Sequence, residues 1–186
     1  MSFSADQAAT LLGIARGAIA ERLGGPPLVL RDDAWLQEKR AVFVTLHEHG
    51  ELRGCVGQLE ARFPLEEAVR EAARSAAFRD GRFPPVQPEE LDALEVEISV
   101  LSPMEPLEVK SEEELLRQLR PGVDGVVLSR GPYIGVFIPE MWKQLPEPRE
   151  FLYYLKRKAG LPADRWLPGT RVERFTAELV EAPRVT

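Results

Sequence analysis

Apolar and polar positions follow two different periods along this chain, and the changes of period mark its elements. From Ser4 to Leu23 the residues Ala8, Leu11, Leu12, Ala15, Ala18 and Ile19 recur at helical spacing, which predicts an amphipathic helix. Ser4 suits its N-cap, and Gly24-Gly25-Pro26-Pro27 ends it. Residues 26–40 read as an irregular connection whose Trp35 and Leu36 cover the core. Ala41 to His47 is rich in β-branched and aromatic residues and reads as a strand. Glu48-His49-Gly50-Glu51 is a turn signal, and Leu52 to Leu59 returns as the partner strand. The favoured connection is a two-residue loop at His49-Gly50. It pairs Cys55 with Val44, on the face of Arg53 and Leu46, and points His47 to the other face; a three-residue loop would bring His47 to Cys55. With the shorter loop, any general base for Cys55 comes from elsewhere in the chain.

Helical spacing resumes from Phe63 to Phe78, with Pro64 in the first turn and a stripe of Leu65, Ala68, Val69, Ala72, Ala73, Ala76 and Ala77. A stripe made mostly of alanine lets the helix lie close to its neighbour, for which the preceding hairpin is the natural choice. Pro88 to Leu91 reads as a helical turn. Leu94 to Leu101 alternates cleanly, with Leu94, Val96, Ile98 and Val100 inward and Glu95, Glu97 and Ser99 outward. Leu107 to Val109 is a short extended piece, and Ser111 to Glu114 is a capping box opening a helix that ends at Pro121-Gly122. Asp124 to Ser129 and Tyr133 to Ile138 form a second hairpin. Pro139 to Trp142 is a helical turn, Pro148 to Ala159 a helix closed by Gly160, and Arg171 to Glu181 one last strand. The residues after it are expected to be loose.

This order predicts an α+β fold: a single two-lobed domain, residues 1–186, with antiparallel sheets flanked by helices and a cleft between the lobes. The length suits one domain with a real core. The net charge of −6, from 24 basic and 30 acidic side chains, argues against a nucleic-acid interface. Lys156-Arg157-Lys158 is explained as well by the negative end of its helix as by a nucleic-acid patch. A single cysteine excludes an internal disulfide and favours a reducing, cytoplasmic setting. No apolar run approaches a membrane span, and the first residues lack the pattern of a secretory signal.

Candidate chemistry concentrates in two stretches. In Leu52-Arg53-Gly54-Cys55-Val56-Gly57 the one thiol stands between glycines, which in a strand mark a bulge or a close backbone approach. Arg53 supplies a fixed charge able to favour a thiolate. The competing reading is that Cys55 is a small buried hydrophobe. In the second stretch, Phe78 to Pro85, Arg79 and Arg82 are suited to an anion, with Asp80 and Phe83 beside them. The alternative is a rigid connector in which Asp80 pairs with an arginine and the phenylalanines fill the core. One cysteine and two histidines do not make a metal site, and no cofactor is expected. Nucleophile-elbow, dinucleotide and phosphate-loop signatures do not occur.

Several blocks of the chain together resemble the AMMECR domain family, whose prokaryotic members are called AmmeMemoRadiSam system protein A. They are Phe43-Val-Thr-Leu46, Leu52-Arg-Gly-Cys-Val-Gly57, Ala76 to Pro85, Leu94 to Ser102, Gly122-Val-Asp-Gly125 and Phe151 to Pro162. The resemblance covers nearly the whole chain. It implies a two-lobed α+β domain with a cleft at the Leu-Arg-Gly-Cys segment. It also implies two partners: a Memo-like protein of extradiol-dioxygenase-like fold and a radical S-adenosylmethionine protein. On this footing Cys55 is the candidate catalytic residue, and Arg53, Gly54, Gly57, Arg79, Asp80, Arg82 and Phe83 are candidate binding residues. Glu140 joins them, because Phe137-Ile-Pro-Glu-Met141 places a carboxylate where many members carry glutamine.

Overall fold

The structure is a computed structural model that describes residues 2–29 and 31–182. It divides into two compact units, residues 1–101 with 178–186, and residues 102–177.

In the first unit, α1 (Ala5–Arg22) opens on the expected cap. Ser4 Oγ accepts from the Gln7 N–H at 3.2 Å, and Gln7 Oε1 accepts from the Ser4 N–H at 3.0 Å. After a 3-10 helix (Ala34–Gln37) come β1 (Val42–Glu48), β2 (Glu51–Gly57), α2 (Leu65–Phe78, with Pro64 as its N-cap) and a 3-10 helix (Pro88–Glu90). β3 (Leu94–Leu101) and β8 (Ala177–Glu181) complete a sheet of order β2-β1-β3-β8. Alternation gives this sheet one apolar face: Val42, Val44, Leu46, Val96, Ile98, Val100 and Val180 all sit in one core with both helices. α1 contributes Leu11, Ile14, Ala15 and Ile19, and α2 its alanine stripe. Leu36 is fully buried there, and Trp35 packs against its edge, 6.0 Å from the Phe3 ring.

The second unit holds β4 (Glu105–Leu107), α3 (Glu112–Gln118), β5 (Gly125–Arg130), β6 (Tyr133–Phe137), a 3-10 helix (Pro139–Lys143), α4 (Pro148–Ala159) and β7 (Arg171–Phe175). Its sheet order is β4-β7-β5-β6. Phe151 is the centre of its core, stacked on Trp142 at 3.8 Å and edge-on to Phe137 at 5.2 Å. α4 ends at Gly160, whose φ of 80° is the left-handed geometry expected of the closing glycine. Lys156 departs from the dipole explanation of its charge. It is buried and bonded to Glu112, so its charge is spent inside the unit.

Three expectations are corrected. Arg171 to Glu181 is not one strand: the chain leaves β7 at Thr176 and enters the other sheet as β8. The break is fixed because Thr176 N–H donates to Ser102 Oγ and the Ser102 N–H donates to Thr176 O, both at 2.8 Å. At the start of α3, Ser111 Oγ caps the Glu114 N–H at 3.2 Å, but the Glu114 carboxylate accepts from the Lys110 N–H, one residue before the position a capping box requires. The extended piece expected at Leu107 to Val109 begins earlier, as β4. The expectation about the last residues falls on 183–186, outside the described residues. Among the described residues no helix is long and apolar enough to cross a membrane.

Candidate functional site

The surroundings of Cys55 follow from the way β2, an edge strand, is closed. Its connection to β1 is the two-residue loop, with His49 and Gly50 both left-handed at φ 52° and 81°. Pairing runs from Glu48↔Glu51 to His47↔Leu52 and then slips, so that Leu46 faces Gly54 and Thr45 faces Cys55. Arg53 is the extra residue of a β-bulge. One extra residue reverses the parity of the rest of the strand. Cys55 therefore pairs with Thr45 and not with Val44. It lies on the face away from the core, where His47 also stands by alternation, instead of on the Leu46 face. The loop was legible from Gly50; the bulge was not, because a strand interrupted by two glycines carries too little alternation to reveal a shift of one residue.

Packing accounts for both glycines. A Cβ on Gly54 would stand 2.1 Å from the Ala76 carbonyl oxygen, since the alanine face of α2 lets the helix backbone press directly on β2. A Cβ on Gly57 would stand 2.3 Å from Val42 O and 2.5 Å from the Phe43 ring. The bulge residue is pinned separately. Arg53 is buried, and it donates from Nε at 2.7 Å and from Nη2 at 3.2 Å to Glu90 in the 3-10 helix after α2. The Glu90 carboxyl is held below its ordinary range first by Arg53, against the opposing effect of burial.

At the end of α2 the chain turns back over the exposed edge of β2. Asp80 Oδ2 accepts from the Cys55 N–H at 3.0 Å and from Arg82 Nη2 at 2.7 Å. Asp80 Oδ1 accepts from Arg82 Nε at 3.0 Å and from the Arg82 N–H at 3.1 Å. The clamp occupies the edge donor at Cys55, which would otherwise be open to another strand. These bonds, those from the Arg82 side chain first, hold the Asp80 carboxyl far below the usual carboxylate range although burial opposes them. The Arg82 guanidinium is raised in turn, chiefly by Asp80 and also by the nearby Cys55 sulfur. Arg82 stands 5.4 Å over the Phe83 ring, and its side chain remains 57% exposed. Cys55 Sγ is itself 3.2 Å from Thr45 Oγ1, and Glu97 on β3 is the residue opposite Thr45 on the other side.

Thus the structure gathers Cys55, Asp80, Arg82 and Phe83. Gly54 and Gly57 stand beside them for packing reasons, and Arg53 is drawn to Glu90. Arg79 is engaged elsewhere, by Glu71 and by Ser75 Oγ on α2. Glu140 lies in the second unit, in the 3-10 helix after β6. Sequence reasoning missed Thr45 and Glu90. Thr45 becomes visible only once the bulge is known, and Glu90 carries no local signal. Among the described residues no three His, Cys, Asp or Glu side chains gather as a metal centre.

The AMMECR1 family model matches residues 12–180. A protein of Methanothermobacter thermautotrophicus is 48% identical over 181 residues, covering 95% of this chain and 94% of its own. One from Methanocaldococcus jannaschii is 41% identical, covering 90% and 86%. The crystal structure of an uncharacterised protein from Pyrococcus horikoshii superposes with a TM-score of 0.82 at 41% identity, covering 91% of this chain and 88% of that one. A match of this extent, on a fold of this kind, means that the chain belongs to the AMMECR1 family.

Proposed function

We propose that this protein is an enzyme component whose reacting group is the Cys55 thiol, acting with a Memo-like protein and a radical S-adenosylmethionine protein. The observation that carries the reading is the contact of Cys55 Sγ with the Thr45 hydroxyl at 3.2 Å, on a strand whose Cys55 N–H is clamped by Asp80. A thiolate at Sγ would accept a hydrogen bond from the Thr45 hydroxyl and lie in the field of the Arg82 guanidinium, the kind of setting that favours a nucleophilic sulfur. The bulge keeps the thiol out of the core, where a reactant could not reach it. The exposed side of Arg82 is free to meet an anionic group, while Asp80 fixes its orientation. The two partners rest on family resemblance alone.

A second reading, a binding module that docks the Memo-like partner without doing chemistry, is favoured by one observation. Arg53, Arg79 and Arg82 each already hold a carboxylate of the same unit. The deciding measurement is the pH dependence of Cys55 alkylation by iodoacetamide on the folded protein. The enzyme reading expects a midpoint well below the ordinary thiol value of about 8.5, and Thr45→Val moves it back towards that value. A thiol with ordinary reactivity overturns the enzyme reading. In that case Cys55→Ser leaves partner retention unchanged, and Arg82→Ala weakens it.

A further inference from the structure

The flank of α2 beside its buried stripe carries Glu66, Glu67, Arg70, Glu71 and Arg74. Two of these groups are closed by partners: Arg74 holds Glu21, and Arg79 holds Glu71. Glu66 and Arg70 differ. Glu66 is only 6% exposed, and its Oε1 accepts from no group. One turn further on, the Nε of half-buried Arg70 is equally closed off and donates to no group. Buried carboxylate oxygens without a donor are rare because they forfeit hydration and receive nothing in return. Both side chains line a pocket of about 360 Å³, together with Gln37, Pro64, Glu67 and the already paired Glu71 and Arg74.

We propose that this pocket binds a free α-amino acid, whose ammonium donates to Glu66 and whose carboxylate accepts from Arg70. The pair of unsatisfied atoms selects this class. A simple cation would satisfy Glu66 and leave Arg70 Nε unanswered. A simple anion would do the reverse and would also face Glu67. Side chains at i and i+4 on a helix stand roughly 5–6 Å apart at Cβ, a span that a compact zwitterion bridges. The volume lies near the lower end of small-ligand pockets, roughly 300–1,000 Å³, which suits an amino acid better than a nucleotide or a cofactor. Both atoms are closed to solvent, so binding requires half-buried Arg70 to turn and present its guanidinium to the ligand's carboxylate. The site is independent of Cys55, and its test does not depend on the thiol.

The experiment is a titration of the ¹⁵N-labelled full chain with L-alanine and L-glutamine, and with methylammonium, acetate and N-acetylalanine as partial ligands. The expected result is saturable shifts at Gln37 and Glu66 to Arg74 with a dissociation constant of about 1 mM or tighter for an amino acid, and no saturation by the partial ligands. Arg70→Met and Glu66→Gln each weaken binding at least tenfold; if Glu66→Gln does not fold, Arg70→Met decides. Absence of saturation by either amino acid overturns the proposal, as does unchanged affinity in Arg70→Met. So does equal binding of N-acetylalanine, which lacks the ammonium. Direct pairing of Glu66 with Arg70 in the wild type, seen as mutual perturbation with no ligand effect, overturns it as well.

Discussion

At the scale of single residues, two positions in the hexapeptide make sharp predictions. Gly54→Ala places a Cβ against the Ala76 carbonyl, a backbone atom that can yield only if α2 moves. Overpacking of this kind costs about 1–3 kcal/mol, and the urea midpoint is expected to fall accordingly without loss of secondary structure. Asp80 predicts a pH dependence. Its folded carboxyl lies below the unfolded value of 3.8, so the stability it contributes is complete above that value and is lost as pH falls through and below it. Urea unfolding between pH 7 and pH 3 is expected to show a steeper acid loss in the wild type than in Asp80→Asn. The variant itself should be less stable at pH 7 by about 1–3 kcal/mol, because two of the bonds Asp80 accepts come from backbone N–H groups, those of Cys55 and Arg82. Both residues were picked out in the sequence. The turn composition even allowed for Asp80 pairing with an arginine, but which atom it would cap was not legible, since Cys55 is distant in sequence and joined to it only by packing.

At the scale of elements, the bulge decides which face of the sheet carries the thiol. A regular hairpin with the same loop would place Cys55 opposite Val44, on the apolar face against α2, and it is Arg53 that prevents this. Deleting Arg53 removes the extra residue but leaves Gly54 opposite Leu46 and Cys55 opposite Thr45, so Cys55 is expected to stay on the outer face and its native-state alkylation to change less than tenfold. Glu90→Ala tests the same device from the other side. It leaves a buried guanidinium without its carboxylate, a change worth roughly 3–5 kcal/mol for buried pairs, and should lower the thermal midpoint. The hairpin and its loop could be read from β-branched residues and one glycine, and α2 from its alanine stripe. The bulge could not, because two glycines erase the alternation there and the carboxylate that holds Arg53 lies in a 3-10 helix beyond α2.

At the scale of the whole molecule, the second unit is an insertion between β3 and β8, and the first sheet is completed only when the chain returns from it. Val180 is 3% exposed in the core of the first unit, so β8 belongs to that core and is no loose tail. Val180→Ala is expected to cost about 2 kcal/mol by denaturant unfolding. A chain ending at Thr176 should lose more than that, because β3 then becomes an unpaired edge.

The sequence by itself determined the local units: two alanine- and leucine-striped helices, the turn at His49-Gly50, the alternation of β3, the closing glycine of α4 and the α+β class they add up to. Each rests on a signal within a few residues, where backbone geometry and apolar period are local properties. The tertiary structure decided what depends on distant partners. Ser102 divides the last strand between two sheets, Glu90 holds the bulge that turns Cys55 outward, and Asp80 closes the strand edge at that cysteine. In each case a polar side chain meets a group far away in the chain, and the energy that fixes the arrangement arises only once both are brought together and withdrawn from water.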